Sequence, residues 1–190
     1  MIYIDDHIWD FNLEQALATV SNELRQYVMR YRHERDRRLS VAAYRLLQRA
    51  LELEFAISQV PPIVREKNGK PLLDGLPGVH FNLSHCNAAV ACAVDTSPVG
   101  IDVECIDRYD AEVAAATMSD GECARIAASP CPEIEFTRLW TMKESLYKLA
   151  GGNPANDLRT MLADTTGYHF CTTIYPSYIC TTCRRLSLKT

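Results

Sequence analysis

The segment Gly100-Ile101-Asp102-Val103-Glu104 sets two carboxylates two residues apart. In an extended strand, residues i and i+2 point to one face, about 6.6 Å apart. Asp102 and Glu104 then share a side, while Ile101 and Val103 turn to the core. Like charges side by side repel unless a cation lies between them. A hard divalent cation takes oxygen ligands of this kind and commonly shares its site with water and substrate phosphates. The plainer alternative is a solvent-facing strand of alternating apolar and acidic residues.

A second cluster is Trp140-Thr141-Met142-Lys143-Glu144-Ser145-Leu146-Tyr147-Lys148. On a helix, Trp140, Glu144 and Lys148 share a face and offer an aromatic platform, a carboxylate and a cation; an amphipathic helix with a Glu-to-Lys pair is the alternative. A third is Phe81-Asn82-Leu83-Ser84-His85 at a strand end. Ser84 and His85 suit an anion, with His supplying a hydrogen bond or a positive charge. A serine nucleophile is disfavoured, because adjacent side chains rarely face each other and no G-x-S-x-G surrounds Ser84. A loop histidine satisfied by its neighbours is the alternative there. Asn68-Gly69-Lys70-Pro71 is a turn whose backbone can approach a flat ring.

The elements that must position these residues follow from periodicity and breakers. Residues 1–4 read as a strand and 14–30 as helical. The longest helix is expected over 37–57, where Leu39, Ala42, Ala43, Leu46, Leu47, Ala50 and Phe55 recur near helical spacing. Pro61-Pro62 ends it. Strands follow at 79–83, 88–94 and 99–105. Helices are expected at 110–118, 120–128 with Ser119 as cap, and 133–150, the last stopped by Gly151-Gly152 and Pro154. Residues 168–175 and 178–184 read as a hairpin rich in Thr, Tyr, Ile and Cys. Strand, long helix, strand, strand thus occurs twice. The expected class is α+β, with two similar fused halves, 1–97 and 98–190. Each carries a small antiparallel sheet on a long helix, and the site lies in the cleft between them.

Composition bounds the partners. The 190 residues are 47% hydrophobic and 23% charged, as in ordinary soluble domains. The net charge of −4 argues against a nucleic-acid binder. That total hides two opposed blocks. From Arg25 to Arg49, eight arginines against Glu34 and Asp36 give +6. From Asp95 to Glu122, eight acids against Arg108 give −7. A basic and an acidic block together suit a ligand carrying both phosphates and a metal. The first residues show no basic and apolar leader, and no apolar run approaches the ~20 residues that span a bilayer. A cytoplasmic chain, with no membrane and as a monomer, is expected. Its eight cysteines then read as reduced thiols, mostly buried. The one C-x-x-C, Cys180 to Cys183, lacks the second pair that a four-thiolate zinc site needs, though a metal or redox protein built on it stays a reading to exclude.

Taken together, the Asn68–Pro71 turn, Phe81–His85, Gly100–Glu104 and Trp140–Lys148 resemble, in order and spacing, the signature motifs of the 4′-phosphopantetheinyl transferases. The match is to the surfactin-synthetase-activating (Sfp-like) branch, whose two halves are fused in one chain. It covers about residues 30–152 well and both ends weakly. The resemblance implies transfer of 4′-phosphopantetheine from coenzyme A to a serine of an apo acyl or peptidyl carrier protein, releasing 3′,5′-ADP. It implies that Asp102, Glu104 and Glu144 hold Mg²⁺, with Mn²⁺ acceptable, and that Glu144, directly or through a metal-bound water, takes the serine proton. It implies that Lys148 and His85 bind pyrophosphate with Ser84 nearby, that Lys70 and its turn line the adenine pocket, and that Arg38 lies next to the 3′-phosphate. Arg25, Arg30, Arg32 and Arg35 stay open as further contacts. Trp140 and Lys143 are expected to support the site by packing. The second half is short against the family pattern, ending at Thr190, so carrier choice stays open. A non-catalytic module binding coenzyme A or a carrier is the alternative function.

Overall fold

A computed structural model describes residues 1–106, 110–152 and 157–186. Arg108, Pro154 and Thr190, which entered the reading of charge, helix stop and chain end, lie outside the described residues. The first sheet consists of β1 (Ile2–Asp5), β4 (His80–His85) and β5 (Val90–Asp95), in the order β1-β5-β4. A second consists of β6 (Val99–Cys105), β7 (Tyr168–Ile174) and β8 (Tyr178–Arg185), in the order β6-β8-β7. All pairings are antiparallel, and each sheet sets its third strand between its first and second. The class is therefore α+β.

Helix α3 (Glu34–Phe55) lies against the first sheet, burying Leu39, Ala42, Ala43, Leu46, Leu47, Ala50 and Leu51 with Phe81, Val90, Cys92 and Val94. Helix α6 (Pro132–Leu149) covers the second sheet, with Leu146 and Leu149 against Cys183, Tyr168 and Phe170. Between the sheets, Ala89, Ala91 and Ala93 meet Val99, Ile101, Val103 and Cys180. Helices α4 (Ala111–Thr117) and α5 (Asp120–Ala128) pack Ala114, Met118 and Ile126 on Phe136 and Leu139 of α6. Ser119 and Glu122 close a reciprocal capping box that starts α5.

Two local features differ from the sequence reading. Residues 14–30 form two helices, α1 (Leu13–Thr19) and α2 (Asn22–Val28), because Val20 is extended and Ser21 Oγ accepts the Leu24 N–H, starting a new helix. The turn at 68–71 closes a hairpin of β2 (Ile63–Arg65) and β3 (Pro71–Leu73), each three residues long and too short to show a period.

The two sheets meet where β4 runs beside β6. The strands belong to separate sheets, and side chains bridge them: Ile101 N–H donates to Asn82 Oδ1 at 2.8 Å, and Val103 N–H to Ser84 Oγ at 3.3 Å. On the far side of β6, α6 comes unusually close. A Cβ at Gly100 would stand 1.9 Å from the Ser145 carbonyl oxygen, so only glycine admits this approach. No helix among the described residues is long and apolar enough to cross a membrane.

Candidate active site

Strand β6 delivers Asp102 into the space between β4 and α6. Its side chain is 3% exposed, so this face is no solvent-facing strand. Burying an unpaired carboxylate is prohibitive, and the structure supplies partners. Lys148 Nζ, from the last turn of α6, donates to Asp102 Oδ1 at 2.6 Å and to Ser84 Oγ at 2.9 Å. Ser84 Oγ in turn donates to the same Oδ1 at 2.8 Å while accepting the Val103 N–H. Three elements therefore meet on one hydroxyl. Asp102 Oδ2, by contrast, is buried with no hydrogen-bond partner among the described residues. An ammonium has three protons to donate, so Lys148, one-quarter exposed, keeps one beyond this knot.

Glu144 lies one helical turn before Lys148 and is half-buried. Burial, and then the neighbouring Asp102 charge, hold its pKa above the usual carboxylate value, with Lys148 acting the other way. His85 ends β4 and keeps an exposed edge. Loss of water around the ring, and then the Lys148 charge, depress its pKa; Arg35 pushes the same way and Asp36 opposes it. The start of α3 therefore reaches the same locality, and among the open arginines it is Arg35 whose charge is felt there. Arg25, Arg30 and Arg32 make no side-chain hydrogen bond or ion pair among the described residues.

Arg38 is held by residues N-terminal to it. It donates to the Phe11 carbonyl at 2.5 Å and to Glu34 Oε1 at 3.2 Å, with its guanidinium 5.0 Å from the Phe11 ring centre and 6.0 Å from that of Trp9. Lys70 Nζ donates to the Leu149 carbonyl at the end of α6, at 3.0 Å. Glu104 is half-buried on the Asp102 side of β6. No group of three or more His, Cys, Asp or Glu side chains poised to hold a metal ion occurs among the described residues.

The Trp140 ring is not an open platform: it stacks on Phe136, 6.2 Å between centres and 22° between planes. Lys143 is fully buried, paired with Glu122 at 2.8 Å and donating to the Thr117 and Leu158 carbonyls. It ties α6 to α4, α5 and the 3-10 turn Leu158–Thr160. Sequence reasoning passed over Glu122 and the bridging role of Asn82; the capping-box spacing was the available signal for Glu122, whereas Asn82 lay inside the Phe81–His85 segment with nothing to mark it as a bridge. Cys180 and Cys183 sit in different clusters, on opposite sides of the second sheet, each with its pKa pushed up to about 12 by burial. They share no ligand position, and all eight thiols are free.

Comparison with known proteins bears on the whole chain. The model of the 4′-phosphopantetheinyl transferase superfamily matches residues 98–181, and that of 4′-phosphopantetheinyl transferase, N-terminal, matches residues 9–97. The chain is 35% identical over 151 residues to a 4′-phosphopantetheinyl transferase of Bacillus pumilus, covering 78% of this chain and 65% of the relative. It is 30% identical over 153 residues to one of Bacillus subtilis, covering 79% and 68%. It is 37% identical over 123 residues to the transferase AcpT of Salmonella typhi, covering 62% and 61%. The chain thus spans about two thirds of the length of the relatives it matches.

Proposed function

The chain belongs to the 4′-phosphopantetheinyl transferase superfamily, and from that premise we propose that it moves 4′-phosphopantetheine from coenzyme A to a serine of an apo acyl or peptidyl carrier protein, leaving 3′,5′-ADP. The observation that carries this reading is the Asp102–Ser84–Lys148 knot with its orphaned Oδ2.

A divalent cation fits this site. The donor set is all oxygen, Asp102 Oδ2 has no partner among the described residues, and the Asp102 and Glu144 charges repel each other. Asp102, Glu104 and Glu144 would hold Mg²⁺, and Mn²⁺ accepts the same ligands. When bound, the cation offsets negative charge on the pyrophosphate and on the departing nucleotide. The three carboxylates would supply only part of an oxygen shell, leaving positions for substrate and water.

The side chains then divide the work. Lys148 uses its remaining proton on a pyrophosphate oxygen while its other two hold Asp102 and Ser84 in register. His85 donates a hydrogen bond to the same group. Glu144, directly or through a water, accepts the proton of the carrier serine as its oxygen attacks the phosphopantetheinyl phosphorus and the bond to the departing nucleotide breaks. Arg38 and Arg35, at the start of α3, and the Lys70 turn face the nucleotide. The two halves, 1–97 and 98–190, form a pseudo-two-fold pair with the site in their cleft. A cytoplasmic monomer suits the reduced thiols and the soluble substrates.

Incubation with coenzyme A, Mg²⁺ and a panel of apo fatty-acid, polyketide and peptide-synthetase carriers tests the proposal. Carrier mass should rise by one phosphopantetheine group, and Asp102→Ala or Glu144→Ala should abolish the shift. No shift with any carrier would overturn the activity; near-normal rates in either variant would overturn the metal assignment.

A further inference from the structure

A helix leaves its last four carbonyls without intrahelical partners. In α6 three of them are met locally. Ala150 N–H donates to Leu146 O at 2.9 Å, Gly152 N–H to Tyr147 O at 2.9 Å, and Gly151 N–H to Lys148 O at 3.3 Å. The fourth, Leu149 O, is met by Lys70 Nζ, 79 residues earlier in the chain. The ammonium also stands at the negative end of the helix dipole.

A second contact joins the same two places. Gly151 has φ +81°, and a Cβ there would stand 2.3 Å from Asn68 Nδ2. The turn bearing Asn68 and Lys70 is itself braced. Asn68 Oδ1 accepts the Lys70 N–H at 3.0 Å, Glu66 N–H donates to Lys70 O at 2.9 Å, and Arg65 Nη1 donates to Gly69 O at 2.9 Å. A stiff turn of the first half thus grips the end of the helix that carries Glu144 and Lys148.

We infer that Lys70 is a positioning residue: by capping α6 at Leu149 it sets the axial position of Glu144 and Lys148 against Asp102. Its side chain acts through the helix, leaving the backbone of the turn to face a ligand. A slip of one residue along a helix is about 1.5 Å. Displacements near 1 Å at reacting groups cost about 10²-fold in rate.

The test uses hydrogen exchange on the protein alone, followed by transfer kinetics. Lys70→Met should speed exchange over residues 146–152 by about tenfold through local fraying, with residues 99–105 unchanged. Lys70→Arg, which keeps a cation of sufficient reach, should restore protection. Lys70→Gln, too short to reach Leu149, repeats the experiment with a polar side chain should the methionine variant fold poorly. In the transfer assay, Lys70→Met should lower kcat at saturating coenzyme A. Unchanged exchange at 146–152, exchange raised everywhere, no rescue by arginine, or a rise in KM with kcat intact would each overturn the inference. Only the kinetic arm rests on the transferase reading. Fraying and rescue in a protein that modifies no carrier would uphold the cap and count against that reading alone.

Discussion

Removing the Ser84 hydroxyl tests whether the site is a single buried knot. Ser84→Ala deletes three hydrogen bonds: to Asp102 Oδ1, from Lys148 Nζ and from the Val103 N–H. The Lys148 bond is the cheapest loss, because its ammonium keeps Asp102 at 2.6 Å and is one-quarter exposed, so water replaces the hydroxyl. The other two are not replaced. Val103 is fully buried, and an orphaned buried donor costs about 1–3 kcal/mol. A bond to a buried carboxylate adds about 1.5–3 kcal/mol, part of which the surviving lysine contact recovers. The expected loss is about 2–4 kcal/mol. That is a sizeable share of the roughly 5–15 kcal/mol by which domains are stable, yet compatible with folding. At about 2–4 °C per kcal/mol for a chain of this size, Tm should fall by roughly 4–16 °C. Urea unfolding should show a lower midpoint with the same slope, since no surface is newly exposed. Asn82→Ala, which orphans only the Ile101 N–H, should cost less. A Ser84→Ala loss under about 1 kcal/mol, or one equal to that of Asn82→Ala, would refute the knot.

Three further outcomes are expected. Gly100→Ala puts a methyl group within 1.9 Å of the Ser145 carbonyl, so α6 must lift; a drop in Tm larger than that of Ser84→Ala is expected in thermal melts, together with loss of transfer. Because the folded protein raises the Glu144 pKa, its protonated form is favoured on folding, and the stability tied to that proton is lost as pH rises through the raised value. Glu144→Gln should therefore raise Tm at neutral pH in chelator, and the gain should vanish below the ordinary carboxylate range near pH 4.3. A thiol reagent should react quickly with Cys131 and Cys171 in the native protein and reach the five buried thiols only on unfolding, and metal analysis should find no thiolate-bound zinc.

Much of this arrangement was legible in the chain. The spacing Gly100 to Glu104 placed both carboxylates on one strand face, and the i, i+4 step placed Glu144 and Lys148 on one helix face. What periodicity could not show is what covers a face. From the pair alone Asp102 looked better suited to water, and the close approach of α6 over Gly100 removes that option. The Trp140 face was read correctly as helical but not as occupied by Phe136, since stacking depends on neighbouring rotamers. Lys70 was marked by its turn and Arg38 only by the family resemblance, while their partners Phe11 and Leu149 lie far away in sequence, beyond any window-based pattern. The break at Val20-Ser21 was readable from the serine cap and was masked by the helical character of both flanks.

The seam between β4 and β6 has a consequence for how the molecule acquires its site. Ser84, Asp102 and Lys148 are joined across separations of 18, 46 and 64 residues, and no two of them come from the same element. Contacts of such range form only after much of the chain is already ordered. A nascent chain that has emerged only as far as β5 carries Ser84 but none of Asp102, Glu104 and Glu144. Catalytic competence would then appear in one step, when α6 seats over Gly100, which makes recovery of activity during refolding a clock for the docking of that helix.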